Sequence, residues 1–353
     1  MLANLSRLSP IASIALALAA IPGFEARAQM SAPLVGLIGA ETPSLKEIRP
    51  VLGVLGASSI RPPIQLSREI SGIYLAPTGG WALVVQRGPG VPGVADFSGR
   101  RPGAPAGDQL GLVTFKGSEP GAVQAIGGAV SNPSLVRFSP LGRSAGLLAS
   151  STVIQVLTGL DSTPQVAFEV NFGDPSGLKK MAVSDDGQLL AVLTGAGQVY
   201  LLSKSIAPVL GYVGSPASGI AFLPNQSTAV IADAGNGTMS LASVVNGAPA
   251  VRAVAAGVNS SGGETLVEAS LDGASAFVVA AGGAAAWRVD LATGSTQSMT
   301  LPAVATRLDR LRDGESFVFS AEPGRSAWFL AGRDSGLQTV FAAAAPTTEV
   351  SGR

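Results

Sequence analysis

The chain has 353 residues, with 23 Lys and Arg residues balanced by 23 Asp and Glu residues, and 46% of it is hydrophobic. It contains no Cys and no His, which excludes disulfides, Cys or His metal ligands, His-ligated haem and any Ser-His-Asp triad. A balanced charge without a concentrated basic segment predicts no nucleic-acid partner. No calcium-loop or phosphate-loop motif occurs, so the sequence predicts no metal and no cofactor.

The first 28 residues have the pattern of a signal peptide. Arg7 precedes an apolar run over residues 11–21, and Ala26-Arg27-Ala28 offers the small residues of a cleavage site. The alternative, a membrane helix, would need about 20 apolar residues, more than this run contains. We therefore expect cleavage after Ala28, no membrane insertion of the mature chain, and a periplasmic or secreted protein.

A short strand, a tight turn and a second strand recur along the chain at intervals of roughly 43 residues, the blade length of a β-propeller. The clearest copies are residues 181–193 and 267–279. Four other copies begin at Ile73, Val136, Ile220 and Leu308. The sequence therefore predicts an all-β fold, a β-propeller of four-stranded antiparallel blades, over residues 29–345, followed by a disordered tail over 346–353.

Asp followed by Gly marks several of the predicted turns. An Asp side chain bonds its own backbone and Gly accepts positive φ, which a tight reversal needs. We therefore assign Asp186, Asp272 and Asp313 to turns rather than to ligand binding. The segment Asp-Ala-Gly-Asn-Gly at 233–237 looks like a cation loop, but it lies between two predicted strands and is interpreted as a hairpin turn.

The number of blades depends on the outer strands. Residues 48–56 closely match residues 206–214, and both are interpreted as an outer strand that precedes a new blade. Seven candidate outer strands then accompany six inner pairs. This count fits a six-bladed ring with an extra ribbon or a seven-bladed ring with one incomplete blade, and we favour seven.

The innermost strand of each blade lines the central channel of a propeller, where one position from every blade forms a common surface. That position lies between two apolar ones, so its side chain points to the opposite face. With their neighbours in sequence, these positions give a charged group of candidate ligand-binding residues: Arg137, Lys180, Glu268, Arg307 and Asp309. The alternative is that the charges pair between blades, Glu268 with Arg307 or Asp309 with Arg310.

One segment interrupts the repeats, the Gly- and Pro-rich insertion at residues 88–108. This composition predicts an extended or mobile loop. Phe97, Arg100 and Arg101 would give a partner an aromatic and a basic contact. The alternative is a disordered loop without a role.

The chain resembles known propeller repeats at several places. Residues 231–241 are similar to NHL repeats, and Phe138-Ser-Pro and Ser184-Asp-Asp-Gly resemble YVTN and WD40-like blades. Residues 287–294 are similar to the outer strand and turn of those families. The resemblance implies a secreted bacterial propeller that binds proteins or carbohydrates. The chain lacks the Gly-His dipeptide of WD40 proteins and the histidines of propeller lactonases and quinoproteins.

Two functional hypotheses follow. The main one is a non-catalytic extracytoplasmic scaffold that binds an unidentified protein, carbohydrate or other ligand. The alternative is a propeller enzyme, similar to a lactonase or lyase, that uses carboxylates at the mouth of the channel.

Overall fold

The structure is a computed structural model. It describes residues 32–39, 47–54, 56–67, 69–87, 107–174, 176–205, 209–212, 217–233, 235–260, 263–322, 326–333 and 336–344. The predicted signal peptide, the predicted tail and all but two residues of the 88–108 insertion lie outside these ranges. Within them the chain forms 28 β-strands and no helix. Accordingly, no described segment is a helix of the length and hydrophobicity that would cross a bilayer.

The strands follow one another as mostly antiparallel hairpins, which group into six hydrogen-bonded sheets over the described ranges. The first segment contains β1 (Leu34–Gly39), β2 (Ile48–Val54) and β3 (Ala57–Ile60). The next sheet contains β4 (Ile70–Leu75), β5 (Trp81–Gln86), β6 (Gln109–Lys116), β7 (Glu119–Pro120) and β8 (Gln124–Ala125), with β7 and β8 both paired to β6.

Four regular sheets of four antiparallel strands follow. Their strands are β9 (Leu135–Phe138), β10 (Ala145–Leu148), β11 (Val153–Thr158) and β12 (Gln165–Asn171); β13 (Leu178–Val183), β14 (Leu190–Thr194), β15 (Val199–Leu202) and β16 (Val209–Tyr212); β17 (Gly219–Phe222), β18 (Thr228–Asp233), β19 (Thr238–Val245) and β20 (Ala248–Ala256); and β21 (Thr265–Ala269), β22 (Ser275–Ala280), β23 (Ala285–Asp290) and β24 (Thr296–Thr300). The last strands are β25 (Asp309–Arg310), β26 (Ser316–Glu322), β27 (Ser326–Arg333) and β28 (Gly336–Ala344).

The predicted turn residues have the contacts of turns. Asp186 accepts a hydrogen bond from the backbone N–H of Gln188 at 3.0 Å, and Asp272 accepts one from that of Ala274 at 2.9 Å. Asp313 accepts a hydrogen bond from the backbone N–H of Ser316 at 3.0 Å. The assignment of these three carboxylates to turns is confirmed.

The neighbouring carboxylate of Asp185 has a different task. It is buried and accepts hydrogen bonds from the backbone N–H groups of Leu141 at 2.7 Å and Asn225 at 2.8 Å. These two residues lie in the first turns of the sheets on either side. Asp185 therefore ties the turns of three consecutive sheets together at one end of the first strands.

The segment at 233–237 also forms a turn. One oxygen of Asp233 accepts from the N–H groups of Gly235 and Asn236 at 3.0 and 3.1 Å. Its other oxygen accepts from the hydroxyl of Tyr212 at 2.6 Å. The carboxylate is thus occupied by the protein itself, as expected for a hairpin turn between β18 and β19.

Buried apolar side chains hold neighbouring sheets together face to face. Between the β17–β20 and β21–β24 sheets, Val230 and Met239 pack in one cluster with Val278 and Val289, and all four are inaccessible to solvent. Similar clusters lie between the other neighbouring sheets. Because each sheet is packed on both faces, the positions of its first strand at the centre of the fold are fixed.

Strands β1 to β3 form a packing layer of their own, although hydrogen bonds join them to the sheet of β25 to β28. Leu37 is buried against Ile70 and Ala82, whereas the next residue, Ile38, is buried against Val318 and Phe329. Successive side chains of a strand point to opposite faces, so this layer lies between the β4–β8 sheet and β25–β28. Yet β3 also pairs in parallel with the end of β28, and the two groups count as one seven-stranded sheet. The described strands thus form seven packed layers but six hydrogen-bonded sheets. The number of blades therefore stays a prediction.

The predicted role of residues 48–56 is wrong in one respect. This segment forms β2, which lies between β1 and β3 and is not the outer strand of a blade. Its match at 206–214 contains β16, which is the outer strand of its sheet. A shared strand sequence reports a tendency to be extended and half-buried, and it does not report how many strands precede it.

Candidate functional site

The first strands of successive sheets meet at the centre of the fold. Contacts join β1 to β4, β9 to β13, β13 to β17, and β17 to β21. They surround two adjoining cavities, a smaller one of about 100 Å³ and a larger one of about 400 Å³. The smaller cavity is lined by all five predicted channel residues, Arg137, Lys180, Glu268, Arg307 and Asp309. The larger cavity shares all of them except Lys180.

Glu268 on β21 lies at the junction of the two cavities and forms an ion pair with Arg310 on β25. Arg310 Nη2 donates to Glu268 Oε2 at 3.2 Å and also to the carbonyl oxygen of Ala269. Its Nη1 donates to the carbonyl oxygen of Pro140 at 2.9 Å. The Arg310 side chain is 3% exposed and that of Glu268 is 29% exposed, so the arginine is fixed and the carboxylate faces the cavity.

The environment of Glu268 disfavours its charged form. Burial raises its pKa, and the nearby charge of Asp309 raises it further, while Arg310 and Arg137 lower it; the result is a pKa of about 7. Desolvation outweighs two cationic neighbours because a carboxylate in a poorly solvated cavity loses most of its hydration. A carboxyl with this pKa exchanges a proton readily near neutral pH.

Arg307 pairs with Asp309, the first residue of β25. Arg307 donates to Asp309 Oδ2 and, through Nη1, to the carbonyl oxygen of Gly39 at 2.7 Å. The predicted cross-blade pairs are therefore wrong in their partners: Asp309 pairs with Arg307, and Glu268 pairs with Arg310. Side chains two residues apart in an extended segment point to the same face, so Arg307 lies beside Asp309. Arg310 points to the opposite face, where it pairs with Glu268.

Lys180 lines the smaller cavity, but its hydrogen-bonding capacity is used by the protein. Its ammonium donates to the carbonyl oxygens of Ser218, at 3.0 Å, and Thr265 and to Glu264 Oε1 at 2.8 Å. Burial lowers the pKa of Lys180, against the opposing effect of Glu264. Since an ammonium has three N–H groups, Lys180 binds β13 to the two following sheets and contributes to the site mainly its charge.

Arg137 differs from the other cations of the site. Its side chain is exposed, and no hydrogen bond or ion pair joins it to another residue of the described chain. It lines both cavities. Arg137 is therefore the guanidinium best able to donate to a ligand.

Two residues of the site were missed by the sequence analysis. Glu264 and Arg310 were not among the candidates, yet they hold Lys180 and Glu268 in place. A signal for Arg310 was present, because it occupies an inner-strand position that is apolar in the other copies of the repeat. A charged residue at such a position indicates a buried partner.

The predicted partner-binding residues Phe97, Arg100 and Arg101 lie outside the described residues, so this proposal stays a prediction. Among the described residues, no three acidic side chains come close enough together to hold a metal ion. The groups that line the two cavities and can take part in chemistry include carboxylates, arginines and Lys180.

Antiparallel sheets whose first strands surround central cavities define an all-β propeller, as the sequence predicted. No known sequence family matches the chain, and no curated protein does. Solved structures do. A candidate 6-phosphogluconolactonase of Bacteroides uniformis has a TM-score of 0.57 at 13% identity, over 88% of this chain and 96% of the other.

Two further solved structures give the same result. The periplasmic gluconolactonase of Pseudomonas aeruginosa has a TM-score of 0.54 at 16% identity, over 89% of this chain and 98% of its own. A second candidate 6-phosphogluconolactonase, from Bacteroides fragilis, has a TM-score of 0.52 at 14% identity, over 88% and 94% of the two chains. At these identities the likeness establishes the propeller fold alone.

These comparisons correct the functional expectation. The main hypothesis, a non-catalytic scaffold, is wrong: the structural neighbours above are described as lactonases, which favours the alternative, a propeller enzyme. The absence of histidine from the chain does not exclude acid–base chemistry. Glu268 shows why: burial gives a carboxyl a pKa near that of histidine, so the cavity contains an acid–base group without one.

Proposed function

We propose that this propeller is a hydrolase of lactones, with its active site at the junction of the two central cavities. The observation that carries the proposal is Glu268, whose carboxyl faces the cavity with a pKa of about 7. A general base is most effective when its pKa lies near the working pH. The activities named for three structural neighbours support the same reaction.

The reaction is assigned to the residues as follows. Ionised Glu268 takes a proton from a water molecule, and the water oxygen forms a bond to the lactone carbonyl carbon. Arg137 donates to the carbonyl oxygen as it becomes negative, since a charge-assisted donor stabilises such an oxyanion. The ring C–O bond then breaks, and the leaving alkoxide takes the proton from Glu268. The product is a hydroxy acid, which ionises and releases one proton to the solvent.

Arg310 serves this reaction as a positioning residue. Its bonds to the carbonyl oxygens of Ala269 and Pro140 fix the guanidinium. The remaining bond holds the Glu268 carboxylate. Its charge also keeps the pKa of Glu268 from rising further, so that the base is ionised above neutral pH.

The test is a pH-stat assay of proton release from a panel of γ- and δ-lactones. We expect turnover by the wild-type chain, with kcat/KM rising with pH through about 7, and loss of turnover in Glu268→Gln. Glu119→Gln is the control, because that carboxylate is exposed on β7 and lines neither cavity. A Glu268→Gln variant that hydrolyses lactones as fast as the wild type would refute the assignment.

We further propose that the enzyme acts outside the cytoplasm. The signal-peptide pattern of residues 1–28 supports this, and one neighbour is described as periplasmic. The mass of the protein recovered from the periplasm of an expressing bacterium should match a chain that begins at Gln29. A full-length mass in the cytoplasmic fraction alone would contradict it.

A further inference from the structure

The larger cavity has more apolar lining than the smaller one. Both share Arg137, Glu268, Arg307 and Asp309, while Lys180 lines the smaller cavity alone and Arg310 lines the larger cavity alone. The larger cavity extends between β1, β4 and β9 and is lined by Ile38, Ile73, Leu75, Leu135, Val136 and Phe138, of which Phe138 also lines the smaller cavity.

Several of these apolar side chains are less buried than their counterparts in other sheets. Leu75 and Phe138 are half-buried, whereas Val183 and Phe222, at the equivalent positions of β13 and β17, are each 1% exposed. Protein interiors are close-packed, so apolar side chains of a first strand at the centre of the fold are normally covered by their neighbours. Leu75 lines the larger cavity and Phe138 lines both cavities, so a ligand in the larger cavity can cover this apolar surface.

Tyr74 adds to this apolar surface. It also lines the larger cavity, and its hydroxyl donates to the carbonyl oxygen of Pro133 at 3.1 Å. The polar end of the side chain is thereby occupied, and the ring remains as the part that a ligand meets. A half-buried tyrosine used in this way contributes apolar contact rather than a hydrogen-bond donor.

The sizes of the two cavities suit two parts of one molecule. The smaller, of about 100 Å³, has room for about three water molecules at roughly 30 Å³ each, which is the size of a small ring. The larger, of about 400 Å³, lies in the range of pockets for small organic ligands. Glu268 lies where the two parts would join.

Resting on the lactonase function above, we propose that the substrate is a lactone with an apolar substituent. The ring lies beside Glu268 and Arg137, and the substituent lies in the larger cavity against β4 and β9. An unsubstituted ring or a polyhydroxylated sugar lactone would leave the apolar surface of this cavity uncovered. The structure therefore favours an alkyl or aryl lactone.

The first experiment compares wild-type kcat/KM for γ-butyrolactone, γ-hexalactone, γ-octalactone, γ-decalactone and glucono-δ-lactone. Transfer of a methylene from water to an apolar site predicts an increase of up to about fourfold for each added methylene, until the cavity is full. Leu75→Gln should flatten this dependence on chain length. The control is Val245→Gln, at an exposed residue of the β19–β20 hairpin, which should retain it.

A second measurement does not depend on turnover. Calorimetric titration of the Glu268→Gln variant with γ-alkyl lactams, which are not hydrolysed, should show dissociation constants that fall as the alkyl chain lengthens. Hydrolysis of lactones at rates independent of chain length, or a preference for glucono-δ-lactone, would overturn this inference and leave the proposed function standing. Tighter lactam binding without hydrolysis of any lactone would overturn the proposed function and keep the cavity preference.

Discussion

Replacing Glu268 by Gln should stabilise the protein at alkaline pH. The pKa of this carboxyl is about 7 in the folded chain, against 4.5 for an unperturbed glutamate. Between these values the folded state binds more protons than the unfolded state, so stability falls as pH rises from about 4.5 to 7 and stays low above. The difference of 2.5 pKa units corresponds to about 3 kcal/mol at most. Gln keeps the shape of the protonated acid and avoids this cost.

The assay is thermal unfolding of the wild type and Glu268→Gln at pH 5 and pH 9. A folded region of about 300 residues has an unfolding entropy of about 0.6 kcal/mol per degree, so about 3 kcal/mol corresponds to about 5 °C. We expect a gain of that order at pH 9 and little gain at pH 5. Glu264→Gln is the matched control: Lys180 holds the pKa of Glu264 below its usual range despite the opposing effect of burial, so this variant should lose stability at pH 9.

An equal effect of the substitution at both pH values would contradict this prediction. If Glu268→Gln changes the midpoint by the same amount at pH 5 and pH 9, the carboxyl does not titrate near neutral pH. Its proposed role as a base near pH 7 would then have no support. A gain confined to high pH would instead mean that the fold tolerates an unfavourable charge at its centre, as active sites do.

Three other outcomes are expected. Arg310→Met should move the midpoint of the pH–rate profile upward, because Arg310 lowers the pKa of Glu268; an unchanged midpoint would count against it as the positioning residue. Arg137→Ala should reduce kcat by about 100-fold without moving the unfolding midpoint, since the residue is exposed; an unfolding shift would reveal a structural role. Asp185→Ala should cost about 3 kcal/mol in a urea titration, because two backbone N–H groups lose a buried charged acceptor, whereas Asp186→Ala, at an exposed turn, should cost about 1 kcal/mol; equal losses would contradict the role of Asp185 in joining three sheets.

The fold was largely predictable because the signals that define it are local. Alternating apolar residues and Asp-Gly turns, as at Asp186 and Asp272, specify hairpins within a few residues. The pairing of β2 was not predictable in this way. β2 pairs with β1 and β3, and this pairing depends on the packing of the whole layer between its two neighbouring sheets. The match of residues 48–56 to 206–214 contains no information about these partners.

The sequence predicted where the site lies in the fold, but it did not predict the pKa or the pairing of the residues there. The repeat placed Arg137, Glu268 and Asp309 on the central surface, and the structure brings them together around the cavities. The pKa of Glu268 depends on desolvation by several sheets, which no local pattern reports. The partner of Glu268 depends on which face of β25 carries Arg310.

The short parallel contact between β3 and β28 has a consequence for folding. Ser59 and Ile60 pair with Ala343 and Ala344, so the two segments come from opposite ends of the described chain. Pairing between segments so far apart in sequence costs loop-closure entropy before any favourable contact forms, and it is therefore slow. During synthesis the β1–β3 layer emerges early, and the edge of β3 stays unpaired until the last described strand, β28, is made. An unpaired edge of this kind is a site for association with other chains. A delay in the arrival of residues 336–344 at that edge would therefore prolong the exposure of this association site.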